Sequence, residues 1–135
     1  MVDALGSGNA EVAASTLEHL LEQEDPLQIF AMVVRQFRYL LLIREILEQG
    51  GGVKDVMEDL RFLQSKNKPV PYWMADKLSR QARGFTLPVL EGIYQRLLKI
   101  DEEVKSGQIP LELALEIFVT ELTTRHRAHS RSISH

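Results

Sequence analysis

Apolar residues recur along the chain at steps of three and four residues and never alternate with polar residues for long. This spacing is the period of an α-helix, whereas a half-buried strand would alternate at every second residue. The pattern predicts an all-α fold, a single compact helical domain of about five to six helices over residues 1–124. Residues 125–135 show no periodic apolar pattern, which predicts a disordered C-terminal tail.

The first two predicted helices begin at capping residues. Asn9 can cap the first, and Asp25 followed by Pro26 is typical of a second start, with an acidic cap before proline at the first helical position. The second helix runs to Gln49 and is ended by the glycines at 50–52, because glycine readily adopts the left-handed conformation that closes helices. Its apolar residues form two stripes, Leu27, Phe30, Val34, Phe37 and Leu41 on one and Ile29, Val33, Leu40, Ile43 and Leu47 on the other. Two stripes predict burial on two sides, which is typical of a central helix.

Two further helices are predicted around a polar loop. The first runs from Val53 to about Leu63, and the loop at 65–71 is interrupted by two prolines. Pro71 opens the next helix, and Gly84 ends or bends it. The apolar face of this next helix consists of Met74, Leu78, Ala82 and Phe85.

The last two predicted helices are long and are separated by a short turn. Thr86 caps the first of them, Ser106 and Gly107 close it, and Pro110 opens the second. Their apolar faces consist of Leu90, Ile93, Leu97, Ile100 and Val104, and of Leu111, Leu115, Phe118 and Leu122. The steps of three and four residues place these apolar residues on one face of each helix, and we expect that face to be buried in the core.

Composition and charge favour a soluble, cytoplasmic domain. The 135 residues are 44% hydrophobic and 26% charged and include no cysteine, which excludes disulfides and thiolate zinc sites. No apolar run approaches the ~20 residues that cross a bilayer. The net charge of −3 gives no global attraction to nucleic acid or to a membrane. Residues 1–26 carry six acids and no Lys or Arg, which suits head-to-tail contact with a related partner and equally suits a solvated surface.

No constellation of residues predicts catalysis, a cofactor or a metal site. The three glycines lack the Lys-Ser/Thr pair that follows a nucleotide-binding loop. His126 and His129 are three residues apart, but no carboxylate or thiol lies beside them. No serine has a histidine and an acid at a recognisable spacing. We therefore expect no catalytic, cofactor-binding or metal-binding residues in this chain.

The segment 53–85 has some features of a DNA-reading motif, in which two short helices are joined by a turn. Lys77, Arg80 and Arg83 are three residues apart on a helix and would form a basic edge. Against this, the joining loop is long and the second helix has no base-reading set at its start. Trp73 stands there instead, which suits a protein interface or a partly buried position equally well. A helical DNA-binding regulator is therefore the alternative function.

Several short segments together resemble a known family by their order and spacing. The two most informative are Arg-Gln-Phe-Arg-Tyr-Leu-Leu at 35–41 and Lys-Leu-Ser-Arg-Gln-Ala-Arg-Gly-Phe at 77–85. The others lie at 2–5, 8–9, 25–29, 97–101, 105–107 and 111–115. From about Val2 to Leu122, the chain resembles the C-terminal domain of the delta subunit of bacterial DNA polymerase III, a clamp-loader subunit. The stretch 61–70 departs from the family pattern, since it is longer and richer in lysine.

The resemblance implies a place in the collar of the clamp loader, beside the equivalent domains of the delta-prime and gamma/tau subunits in a five-membered ring. In the family an N-terminal ATPase-like module precedes this domain and contacts the sliding clamp. The chain therefore corresponds to a C-terminal fragment that reaches DNA only indirectly and contacts no membrane. The resemblance implies no catalytic site in the fragment, although the parent complex is a DNA-directed DNA polymerase holoenzyme, a nucleotidyltransferase.

The family resemblance and the helical periodicity together predict roles for individual residues. The expected ion-pairing residues, between helices or between subunits, are Arg35, Arg38, Arg80 and Arg83. Trp73 is the expected interface aromatic. The expected core residues within the two most informative segments are Phe37, Leu41, Leu78 and Phe85.

Overall fold

A computed structural model describes residues 10–63 and 68–133, with side chains described for residues 11–63 and 68–123. In chain order the helices are α1 (Ala10–Gln23), α2 (Pro26–Glu48), α3 (Val53–Asp59), α4 (Tyr72–Arg83), α5 (Leu87–Lys105) and α6 (Leu111–Ile133), with a short 3₁₀ turn at Arg61–Leu63. No strand occurs in these described ranges. The all-α prediction is confirmed, and the six helices of the described residues agree with the five to six predicted.

Two helix ends differ from the sequence prediction. The α3 helix ends at Asp59 and a separate 3₁₀ turn follows, where the sequence predicts one helix to about Leu63. The α6 helix continues to Ile133, beyond the apolar period that predicts it in the sequence. The Asn9 cap and the side chains after Thr123 lie outside the described residues. The division into a domain at 1–124 and a disordered tail stays a prediction.

The predicted caps at the starts of α2 and α5 are confirmed by their hydrogen bonds. The Leu27 backbone N–H donates to Asp25 Oδ1 over 2.8 Å. The Val89 backbone N–H donates to Thr86 Oγ1 over 3.4 Å. Each side-chain oxygen satisfies a backbone donor that the first turn of a helix leaves without an intrahelical partner.

Glycine in the left-handed conformation ends both α2 and α5. Gly50 has φ +88°, and its N–H donates to the Leu47 carbonyl over 3.1 Å. The next N–H, of Gly51, reaches back to the Ile46 carbonyl over 2.9 Å. These two bonds together form a Schellman motif, and Gly107 (φ +78°) closes α5 in the same way.

Alanine at Gly50 is expected to lower the free energy of unfolding by about 1 kcal/mol, because a Cβ atom strains the left-handed conformation. Alanine at Gly92 is the matched control. Gly92 lies inside α5, and apart from its chain neighbours and the backbone of its own helix no atom lies within 4 Å of an added Cβ. Alanine there is expected to stabilise the helix by about 0.5–1 kcal/mol. Urea unfolding followed by circular dichroism measures both changes. If both substitutions changed the free energy of unfolding in the same direction, the left-handed conformation assigned to Gly50 would be wrong.

The chain divides into two compact units. The first consists of Met1–Gln36 and Tyr94–His135, and the second of Phe37–Ile93. In the first unit α1 packs against α6, and in the second α3 packs against α4. The buried apolar residues of the first unit are Ala13, Leu17, Ile29, Phe30, Val33, Leu97, Ile100, Ala114, Leu115, Phe118, Val119 and Leu122. Those of the second are Phe37, Leu40, Ile43, Val56, Leu60, Val70, Ala75, Leu78, Ala82, Phe85, Leu90 and Ile93.

Both predicted stripes of α2 contribute buried residues, as expected for a central helix. Phe30 and Phe37 are buried from one stripe, and Ile29, Val33, Leu40 and Ile43 from the other. The prediction is wrong for Leu27, which is 64% exposed in the first turn. Leu41 is only half-buried rather than part of the core.

By length and composition alone, α2 is apolar enough to span a membrane. A helix in the core of a folded domain meets the same test, and six of the apolar side chains of α2 are buried within the protein. A single helix of this kind is weak evidence for a membrane span.

Candidate interaction surface

The α4 helix has one buried face and one exposed face. Ala75, Leu78 and Ala82 are buried, and so is Ser79, whose hydroxyl donates to the Ala75 carbonyl over 2.7 Å. That bond satisfies the hydroxyl within its own helix, so the buried face presents no unsatisfied side-chain donor to α3. The opposite face consists of Trp73, Lys77, Arg80 and Arg83, and we call it the basic face of α4.

Trp73 is 64% exposed, so it is not a core residue. Tyr72, beside it in the first turn of α4, is 62% exposed. Large aromatic side chains are enriched at protein interfaces, where they bury much surface at a low entropic cost. The exposure of Trp73 favours the interface interpretation over the partly buried one.

The cations of the basic face differ in their partners. Arg80 Nη2 lies 2.9 Å from Asp76 Oδ2, one helical turn earlier, and the Arg80 side chain remains 76% exposed. This pair lies within one helix, not between helices, and such exposed pairs contribute about 0.3–0.5 kcal/mol. Lys77 and Arg83 are exposed and form no ion pair with any residue of the described chain. Two cations of this face are therefore free to bind a partner.

The two arginines of the 35–41 segment are also exposed. Arg35 and Arg38 form no ion pair within the described ranges. Phe37, between them, is fully buried, and its ring meets that of Phe85 edge-on with 5.7 Å between centroids. The two most informative segments of the sequence therefore meet through their phenylalanines. Whether the arginines pair between subunits stays a prediction.

Sequence reasoning missed a third exposed aromatic side chain. Phe62 in the 3₁₀ turn is 60% exposed, and its ring contacts Tyr39 edge-on with 6.3 Å between centroids. The sequence gives a weak signal for it, because Phe62 lies three residues after the end of α3 and falls in the stretch 61–70 that departs from the family pattern. Its contact with Tyr39 lies within the second unit.

Sequence reasoning also missed a charged cluster in the first unit. Arg96 Nε lies 3.1 Å from Glu121 Oε2, and Arg96 Nη1 lies 3.7 Å from Glu103 Oε1. The hydrogen bond to Glu121 raises the pKa of Arg96, with smaller contributions from both carboxylates and an opposing effect of burial. The guanidinium therefore stays charged and joins α5 to α6.

No group of three or more His, Asp or Glu side chains that could hold a metal ion occurs among the described residues. A groove of about 220 Å³ lies in the first unit between α1 and α6. It is lined by Ala14, Leu17, Glu18, Leu21, Glu116, Val119 and Thr120. The groove is half-open and shows no convergent set of polar groups of the kind that orients a ligand.

The fold is that of an all-helical domain that exposes aromatic and basic side chains on α4. The chain matches the family described as DNA polymerase III delta subunit, C-terminal domain, over residues 1–122. It therefore belongs to this family, and the resemblance predicted from the sequence is confirmed.

Two relatives from Bacillus subtilis agree with this assignment. The chain is 31% identical over 107 residues to the DNA polymerase III subunit delta of Bacillus subtilis (strain 168), an alignment that covers 79% of this chain and 28% of that protein. It is similar to the solved structure of the Bacillus subtilis DNA clamp loader delta protein, with a TM-score of 0.78 and 27% identity. That match covers 91% of this chain and 34% of the solved one. The chain thus spans about a third of these relatives.

Proposed function

We propose that the chain is an oligomerisation domain that holds a delta subunit in the clamp-loader complex during DNA replication. The observation that carries the proposal is the family match over residues 1–122, together with the agreement of the fold with a clamp-loader delta protein. The proposed domain comprises residues 1–124. The parent complex would be a DNA polymerase III holoenzyme in the cytoplasm.

The proposed partners are the delta-prime and gamma/tau subunits, through their own collar domains. The exposed Trp73, Tyr72 and cations of α4 support this role, because they offer aromatic and charged groups that the described chain leaves uncovered. Contact with DNA would be indirect, and contact with the sliding clamp would be made by the N-terminal module of the delta subunit.

The helical DNA-binding regulator receives less support. Asp76 sits within the basic face at 2.9 Å from Arg80, where it would repel a phosphate. The sequence also carries a net charge of −3, which gives no long-range attraction to DNA.

The full chain is expected to co-elute with the C-terminal domains of delta-prime and gamma/tau from the same organism. Size-exclusion chromatography at low salt measures the association, with circular dichroism to verify that each component is folded. An unrelated acidic helical domain of similar size is the control and should elute separately. If the folded chain associates with neither partner, alone or with both present, the proposal is wrong.

A further inference from the structure

We propose that the basic face of α4 is a docking surface for an acidic amphipathic helix of a neighbouring subunit. This inference rests on the proposed function and deepens it, since it names the surface and the chemistry of the partner. The surface lies wholly within the second unit of the chain.

The spacing of the basic face suits a helical partner. Trp73, Lys77 and Arg80 are separated by four and three residues, so they lie in one row along α4. At 1.5 Å per residue, the row from Trp73 to Arg80 extends about 10.5 Å. A helix aligned with α4 would place an apolar side chain on Trp73 and carboxylates one and two turns further along, near Lys77 and Arg80.

Charge complementarity selects an acidic partner. The α4 helix contains three basic residues, Lys77, Arg80 and Arg83, and a single acid, Asp76. Within this chain, α1 is an example of the acidic amphipathic helix that the surface would bind, and it can serve as a probe. Glu11, Glu18 and Glu22 are exposed along α1, and no Lys or Arg occurs from residue 10 to residue 26.

A chain with a basic helix face and a separate acidic one suits head-to-tail contacts, in which unlike faces of successive subunits meet. Lys77 and Arg83 supply the free cations for such a contact, and Trp73 supplies the apolar anchor. Arg80 is held by Asp76 in an exposed pair, so it can exchange this carboxylate for one of the partner at little cost.

A protein helix explains this surface better than a nucleic acid strand does. A strand carries one phosphate per nucleotide, and binding it along a surface takes several cations in succession. The basic face has only two cations without a partner in the described chain, and Asp76 interrupts their row. A short acidic helix can pair its carboxylates with these two cations.

The probe is a fluorescent peptide with the sequence of residues 10–26 of this chain. The peptide has five acids and no Lys or Arg. Fluorescence anisotropy at low salt measures its binding to the full chain. The double variant Lys77→Glu/Arg83→Glu is expected to weaken binding by about tenfold or more, and Trp73→Ala by about fivefold. The matched control is Lys54→Glu/Lys99→Glu, which makes the same change of net charge at exposed positions outside the basic face. This control should change the dissociation constant of the peptide by less than about threefold.

Three results would overturn the inference. The first is failure of the peptide to bind, and the second is equal weakening of binding by the two double variants. The third is tighter binding of a single-stranded oligonucleotide than of the peptide, with affinity that falls steeply with salt, which would mark a nucleic-acid surface.

Co-elution with the neighbouring collar domains distinguishes a failure of this inference from a failure of the proposed function. If the unmodified chain assembles and Lys77→Glu/Arg83→Glu assembles equally well, the docking surface is wrong and the function stands. If the unmodified chain does not assemble, the function itself is wrong. Loss of assembly in this variant alone, with an unchanged circular dichroism spectrum, supports both.

Discussion

Replacement of Phe37 by alanine is expected to lower the free energy of unfolding by about 3–5 kcal/mol. Phe37 is fully buried and its ring packs edge-on against Phe85 at 5.7 Å between centroids. The substitution leaves a cavity and also removes an aromatic pair that contributes about 0.5–1.5 kcal/mol. Because domains of this size are stable by only about 5–15 kcal/mol, the loss is a large fraction of the total. Urea unfolding followed by circular dichroism measures it.

The matched control for this experiment is Phe62→Ala. Phe62 is 60% exposed and its ring contacts Tyr39 edge-on, so its replacement should lower the free energy of unfolding by less than about 1 kcal/mol. Phe37→Leu retains most of the buried volume and should fall between the two, which keeps the comparison possible if Phe37→Ala does not fold. Similar costs for Phe37→Ala and Phe62→Ala would show that Phe37 is not a core residue.

Replacement of Leu97 by lysine is expected to cost several kcal/mol, enough to unfold a marginally stable domain. Leu97 is fully buried in α5, so an ammonium group there loses its hydration and gains no ion pair. The free energy of unfolding is again the measured quantity. Where the lysine variant does not fold, Leu97→Ala replaces it, with an expected loss of about 2–5 kcal/mol.

The neighbouring position provides the control for Leu97. Leu98 is 53% exposed, and Leu98→Lys should change stability by no more than about 0.5 kcal/mol. The two substitutions introduce the same side chain into the same helix, one residue apart. A comparable loss at both positions would mean that α5 buries a different face.

Local rules allow much of the fold to be predicted from the sequence. The Asp25 and Thr86 caps and the glycine ends of α2 and α5 depend on hydrogen bonds between residues a few positions apart. Helical periodicity likewise predicts the buried faces that contain Phe37 and Phe85. It fails for Leu27, because the period shows which residues share a face and does not show where along the helix burial stops.

The candidate surface is less predictable from the sequence. The positions of Trp73 and Arg83 on one side of α4 follow from their spacing, but the exposure of Trp73 depends on which residues the rest of the fold leaves uncovered. The Asp76–Arg80 pair has a local signal, since the two are four residues apart on a helix. Arg96 and Glu121 are 25 residues apart, and no local signal connects them.

The contact between Arg96 and Glu121 has a consequence for how the chain folds. The turn at Gly107 makes α5 and α6 successive helices, so the carboxylate reaches the guanidinium after closure of a loop of only 25 residues. Closing so short a loop costs little entropy, and helical proteins with contacts of this kind fold on microsecond to millisecond timescales. The pairing of α5 with α6 can therefore form early, before contacts between distant parts of the sequence, and reduce the time for which their apolar faces are exposed to aggregation.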